Sequence, residues 1–265
     1  MSARPSSLAI YTQHLTGRFR RTGIFWAIGL GVYIALLILS YPSFRESGLL
    51  ALENYPKTII EAFGIEDLTT IGPFLDVRVY SSLPLVISFF PVMTFAGALA
   101  GAEERGSLDI LLGNPIPRRH VVLANWLALA LVLLAVLLVV AIVSWGCGRL
   151  INVGLDAADA LRASLNLFPI TMAFGTLALA LSAWLRSRGA VIGISFAVMF
   201  LMYLLETIGR ISPTWAGLRW VSAFRLYGSA ITDGIDWGNA ALLLGASVVL
   251  LVLAIGLFDR RDIYT

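Results

Sequence analysis

Six stretches of this chain contain no Asp, Glu, Lys or Arg: residues 22–44, 79–102, 120–148, 163–185, 189–205 and 237–258. Crossing the hydrocarbon core of a bilayer takes roughly 20 helical residues. Lipid offers no partner to a backbone N–H or C=O, so stretches of this kind must satisfy themselves as helices. The fifth is the shortest because Glu206 interrupts it; it makes a full span if Glu206 sits near one interface. With 58% hydrophobic and 13% charged residues, the chain has too little polar surface to cover a water-soluble protein. The expected fold is an all-α polytopic membrane protein, one transmembrane domain over residues 1–265. Its spans are expected near 24–41, 79–102, 121–147, 164–185, 189–208 and 238–258.

Orientation follows from the basic residues, of which Lys57 is the only lysine. With the N-terminus inside, dense groups fall on the inner side: Arg18, Arg20 and Arg21; Arg118 and Arg119; Arg186 and Arg188; Arg260 and Arg261. Arg4 and Arg105 fall on the same side, and the other eight cations are spread over longer outer loops, the pattern that places dense arginine on the cytoplasmic side. Both termini are therefore expected in the cytoplasm. The first apolar stretch follows some twenty mostly polar residues and is long enough to span, which argues against a cleaved signal peptide.

Outside the spans, Leu8, Tyr11, Leu15 and Phe19 recur at spacings of three and four, with His14, Arg18 and Arg21 off that stripe. This predicts an amphipathic helix over 6–21 lying on the inner membrane surface, attracted to anionic lipid. A short amphipathic helix is also expected over 57–65. Residues 209–237 carry Trp215, Trp220, Phe224, Tyr227 and Trp237. They form either an aromatic belt at headgroup level or a re-entrant pair of short helices.

Much enzyme chemistry is excluded. A phosphate-binding P-loop needs Gly-x-x-x-x-Gly-Lys, and Ala51 stands where its first glycine would be relative to Lys57. No HExxH, GxSxG or paired-Cys spacing occurs, and the one cysteine, Cys147, reads as a small apolar residue. His14 and His120 are far apart and are not expected to bind metal. The informative segment is the loop from Gly101 to His120. Leu108, Leu111 and Leu112 give it one apolar face; Glu103 and Glu104 stand at its start, and Gly113-Asn114-Pro115 stops it. A carboxylate pair at a helix start suits the helix dipole. The predicted product is a short two-faced helix, one face on the bundle and the other open to a soluble partner. An ordinary charged loop is the competing reading.

Glu103-Glu104-Arg105-Gly106-Ser107-Leu108-Asp109-Ile110-Leu111-Leu112, followed by Pro115-Ile116-Pro117-Arg118, resembles the cytoplasmic signature of ABC-2 type permeases. These are the membrane subunits of ATP-binding cassette exporters. Leu218–Tyr227 looks like the family's segment before the last span, and Leu257–Ile263 like its C-terminal tail. Tyr55-Pro56 through Ile65 is similar to a branch that includes antibiotic and multidrug exporters. Pro117 departs from the small polar residue frequent in the family, which bears on the local turn.

The resemblance implies a separate ATPase subunit in two copies, binding ATP and Mg, with no cofactor in this chain. It also implies a second permease copy, identical or related, and a prokaryotic cell membrane. Under it, Glu103, Glu104, Arg105, Gly106, Ser107, Leu108, Leu111, Leu112, Pro115 and Arg118 form the coupling element. Arg186, Ser187 and Arg188 make a smaller second contact. Pro84 and Pro91 in the second span, and Glu206, are candidates for path or gate; the prolines also read as accommodated kinks, and Glu206 as a partner for Arg210 one turn on. The apolar, aromatic spans suit a hydrophobic or amphipathic cargo such as a drug, antibiotic or lipid. A membrane scaffold is an alternative. A membrane-embedded enzyme is a weaker one, because the spans lack convergent ionisable groups.

Overall fold

The computed structural model describes residues 7–47, 70–106 and 117–261. Every regular element among them is helical. In chain order these are α1 (Ser7–Glu46), α2 (Ile71–Leu75) running into a π-helical turn (Asp76–Tyr80), α3 (Leu83–Ala96) and α4 (Ala100–Glu104). They continue with α5 (Arg118–Leu150), α6 (Ala157–Trp184) and α7 (Arg188–Ile211). Two 3₁₀ helices follow (Pro213–Val221 and Ala223–Leu226), then α8 (Trp237–Asp259). The expected helix over 57–65 lies outside the described residues.

Five of these helices, α1, α5, α6, α7 and α8, are long and apolar enough to cross a membrane. A sixth span results if α2 with its π turn and α3 are one broken crossing, bent by 41°. The bend falls at Ser81–Ser82, not at the prolines. Pro84 sits in the first turn of α3, where a missing N–H costs nothing. Pro91 is buried inside the same helix. Glu206 does not end the fifth span: α7 runs through it to Ile211.

The N-terminal stripe is not a separate helix. α1 is continuous from Ser7 to Glu46, and at 1.5 Å per residue it is about 60 Å long, roughly twice the hydrocarbon thickness. No proline breaks the junction at 21–24, and the stripe turns inward: Leu15 and Phe19 are buried, with Leu8 and Tyr11 packed against the core. α1 packs chiefly along α5. The approach is close at Gly23, where a Cβ would lie 2.4 Å from Val132 Cγ1.

The hub is α6, the most buried of the spans, with α8, α3, α5 and α7 packed around it. Its inward positions are largely small: Ala160, Ala163, Ser164, Gly175, Thr176, Ala178, Ser182 and Ala183 are all buried. Without a hydrophobic force between helices in lipid, small residues are what lets backbones approach. Polar side chains tie the packing. Thr176 Oγ1 donates to the Met172 carbonyl at 2.7 Å and accepts Trp126 Nε1 at 2.9 Å. Outward positions on α1, α5, α7 and α8 carry exposed Phe25, Leu36, Leu131, Ile142, Phe200, Leu201, Val249 and Val252, the surface of a protein solvated by lipid.

Gly175 tests this packing. A Cβ there would stand 2.6 Å from Pro91 Cβ and 3.4 Å from Phe95 Cδ2. Gly175→Val should therefore destabilise the α3–α6 contact by about 1–3 kcal/mol, the usual cost of overpacking. The measurement is thermal unfolding of the purified chain in detergent. Gly146→Val, where nothing lies within 4 Å, is the control and should leave the midpoint nearly unchanged.

Candidate functional site

The charged groups collect at the two ends of α6. Between Ser164 and Ala183 the helix rises about 28 Å, close to one hydrocarbon thickness. Near Ser164, Tyr80 shares hydrogen bonds with Ser144 and Ser164, each at 3.3 Å. Near Ala183 lies the cluster built from the loop residues singled out above.

α4 brings Glu103 and Glu104 to that second end. The Ala100 N–H donates to Ser182 Oγ at 2.9 Å, fastening the start of α4 to α6. Glu103 and Glu104, expected at the start of a helix, stand in the described residues at the end of this short one. The chain then turns at Gly106, whose φ of +66° only glycine adopts readily. The Gly106 N–H donates to the Glu103 carbonyl at 2.8 Å. Ser107, Leu108, Leu111, Leu112 and Pro115 lie outside the described residues, and with them most of the expected coupling helix.

Glu104 Oε1 accepts the backbone N–H of Arg188 at 2.8 Å. This occupies one of the free N–H groups in the first turn of α7, where the helix dipole favours a carboxylate. Ser187 is the N-cap of the same helix, its hydroxyl accepting the Ala190 N–H at 3.4 Å. Glu103 faces two arginines: Oε1 is 3.5 Å from Arg186 Nε, and Oε2 accepts Arg261 Nη2. Arg261 also donates to the carbonyls of Ser182 (3.1 Å), Ala183 (3.2 Å) and Leu185 (3.3 Å). It thus caps the carboxyl end of α6 with a charge of the favoured sign. Its side chain is 7% exposed. Burial pulls its pKa below the usual arginine value, and Glu103 pulls it back up.

The far end of the loop is fastened in the same way. Arg118 opens α5, and its guanidinium donates to the carbonyls of Phe258 (3.3 Å), Asp259 (3.3 Å) and Arg261 (2.7 Å) at the end of α8. Arg105 reaches back to the Gly97 carbonyl at 3.3 Å. The described chain is thus fastened to helix ends on both sides, before Gly106 and after Pro117. The structure brings together Glu103, Glu104, Arg105, Arg118, Arg186, Ser187 and Arg188. Sequence reasoning did not assign Arg261 to this cluster: it appeared only as part of a basic tail, and nothing in its spacing says that it folds back on α6.

The remaining candidates lie elsewhere. Pro84 and Pro91 pack within α3. Glu206 sits at the opposite end, 4% exposed. Its Oε1 accepts Arg210 Nε at 2.7 Å, the expected one-turn pair, and also Arg219 from the first 3₁₀ helix at 2.9–3.1 Å. Gly209 allows this second contact, since a Cβ there would meet Arg219 Cγ at 2.4 Å.

Apolar helices around a buried hub, five of them long and apolar enough to cross a bilayer, define a multi-pass α-helical membrane protein. The chain belongs to the ABC-2 family: the model described as ABC-2 family transporter protein matches residues 18–263. No curated protein matches it. The family is a membrane component of ABC transporters, not itself catalytic, and normally works with an ABC ATPase.

The Glu103–Arg261 contact should contribute measurably to stability. Arg261→Met removes the cap on α6 and leaves Glu103 with the more exposed Arg186 alone. The expected loss is about 2 kcal/mol, the scale for hydrogen bonds to a charged group. In a double-mutant cycle with Glu103→Gln, followed by unfolding in detergent, the two losses should be less than additive. Full additivity would show that the pair is not coupled.

Proposed function

We propose that this chain is the permease subunit of an exporter and that residues 103–118 with 186–188 form its coupling face for the ATPase. The observation that carries this reading is the fastening of Glu103 and Glu104. Glu104 holds the first turn of α7, and Glu103 holds the end of α6 through Arg261. Arg118 holds the end of α8. A displacement of the loop between Gly106 and Pro117 would reach three spans at once through short, charge-assisted contacts.

On this reading the Glu103 end is cytoplasmic, with both termini on that side of a prokaryotic cell membrane. Two ATPase subunits bind ATP and Mg and close on each other, two permease copies respond, and this chain needs no cofactor of its own. Closure biases a two-state arrangement of the helices, which is how a remote ligand moves a packed bundle. The cargo is hydrophobic or amphipathic, as in the antibiotic and multidrug branch, and moves outward. Pro84 and Pro91 in the broken α2–α3 span are the candidates to line or gate its path. Support for the break as a moving part comes from the 41° bend at Ser81–Ser82, which leaves α2 and α3 joined without a continuous hydrogen-bond ladder.

The test is a charge reversal at the coupling face in the assembled complex. Glu104→Arg and Arg105→Glu should each lower cargo-stimulated ATPase activity about tenfold or more, the scale of a lost charged contact. Basal activity of the ATPase alone should be unaffected. Glu104→Gln keeps an acceptor for the Arg188 N–H and should lose less. Unchanged stimulation together with unchanged co-purification of the ATPase, in both reversals, would rule out a coupling role for this face.

A further inference from the structure

α1 and α5 run side by side in the same direction, Gly23 lying against Val132 and Gly31 against Val143. Between them a recess of about 260 Å³ opens on the outside of the bundle. Small residues leave the space for it: Gly23 and Ala27 on α1, and Ala135 on α5. Ile24, Leu131 and Val139 also line it and are exposed, so it faces the lipid around the bundle. From Leu131 to Val139 α5 rises about 12 Å. The recess is thus a slot that follows the two helices.

One end of the slot is charged. Arg20 lines it, one helical turn before Ile24 and two before Ala27. Among the described residues its guanidinium enters no hydrogen bond or ion pair. Thr16, the other polar side chain there, spends its hydrogen on the Thr12 carbonyl at 2.8 Å. Arg20 stands just ahead of the charge-free run 22–44, at the depth where headgroups give way to hydrocarbon. An arginine there lays its stem on the apolar wall and keeps its head among the headgroups. The partner that this head lacks is an anion. His14, Arg18 and Arg21 share the stretch with it, α1 holds no Asp or Glu before Glu46, and α5 holds none at all. A second copy applying the same face would bring more arginine and no carboxylate, leaving the charges buried and unpaired. The choline of a zwitterionic headgroup gains nothing in this field, whereas an anionic headgroup does.

We propose that the slot binds one anionic phospholipid, with an acyl chain lying over Gly23, Ala27 and Ala135 and the phosphate held by Arg20. This is one site at a fixed place, distinct from the general attraction of a basic helix to a charged surface. On the orientation proposed above it lies in the cytoplasmic leaflet, which is the negatively charged one. Binding itself is a property of this chain alone and rests on neither the orientation nor the coupling reading. A failure of the ATPase experiments leaves it standing, and its own failure leaves the coupling reading standing.

The experiment titrates the purified full-length chain in detergent with dioleoylphosphatidylglycerol and, separately, dioleoylphosphatidylcholine, which carry the same acyl chains. Native mass spectrometry reads the dissociation constant of the first bound lipid. Phosphatidylglycerol should bind tighter by about tenfold or more. Arg20→Gln should remove that preference. Arg18→Gln loses the same charge about 200° round α1 from Arg20, and should keep it. Ala135→Trp fills the slot from an exposed position and leaves Arg20 in place, so it should also abolish the preference. No preference in the unmodified chain, equal losses in Arg18→Gln and Arg20→Gln, or a preference retained in Arg20→Gln or Ala135→Trp overturns the assignment. A dimer seen in the same spectra and lost in Ala135→Trp assigns the slot to a second copy and overturns it equally.

Discussion

A helix that ends at the edge of a bilayer exposes carbonyls that nothing in the helix can satisfy. In this protein that constraint is met by arginines brought from elsewhere in the chain. Arg261 takes three carbonyls at the end of α6, and Arg118 takes three around the end of α8. Because α6 is the hub on which the other spans pack, its capping is not a local matter. Arg261 is itself neutralised by Glu103, and Glu103 stands beside Glu104, which completes the first turn of α7. Helix termination and the placement of the loop residues are thus one arrangement. Moving the carboxylates would uncap helices; holding them registers the loop.

Much of the architecture was legible before the structure, and for a physical reason. Runs without charge report the bilayer directly, since a charge inside the hydrocarbon is expensive. All six runs fall on described helices, with 79–102 on the broken α2–α3 segment and α4. What misled was the inference from a local pattern to an element boundary. The 6–21 stripe has the periodicity of an interfacial helix, yet it continues unbroken into α1, because periodicity carries no information on whether the next turn also helps to pack. The prolines invited a kink at 84 or 91. The bend falls instead at Ser81–Ser82, where a π turn has already disturbed the ladder.

The sites were legible in a different proportion. Glu206 with Arg210 is a contact one turn apart, and spacing reveals it. Arg219 joins the same carboxylate from thirteen residues on, through a 3₁₀ segment and past a glycine, and no periodicity reveals that. Asn166, inside an apolar span, donates to the Tyr227 carbonyl beyond the 3₁₀ turns, at 2.8 Å. Asn125 bonds within its own helix, to Val121 at 2.9 Å. Short-range pairs follow from helical geometry, whereas the long-range ones depend on how the loops at each end fold back.

α7 joins the two ends of the molecule. It begins at Arg188, held by Glu104, and ends past Glu206 and Arg210 on the wall of a cavity at the opposite end. The first 3₁₀ helix and the turn after it travel with α7, since Arg219 binds Glu206 and Ser222 donates to the Met202 carbonyl at 2.8 Å. The other wall of that cavity belongs to α2 and its π turn, separated from α3 by the bend. α7 is also the least buried of the five long spans and contains no proline. A tilt of α7 about its Glu104 end, were the proposed coupling to cause one, would move Glu206 relative to Asp76. The space between α2 and the end of α7 is thus bounded by one helix whose base sits among the loop anchors. On the coupling reading proposed above, movement at one end would therefore reach the other through α7 itself, with no relay of side chains required.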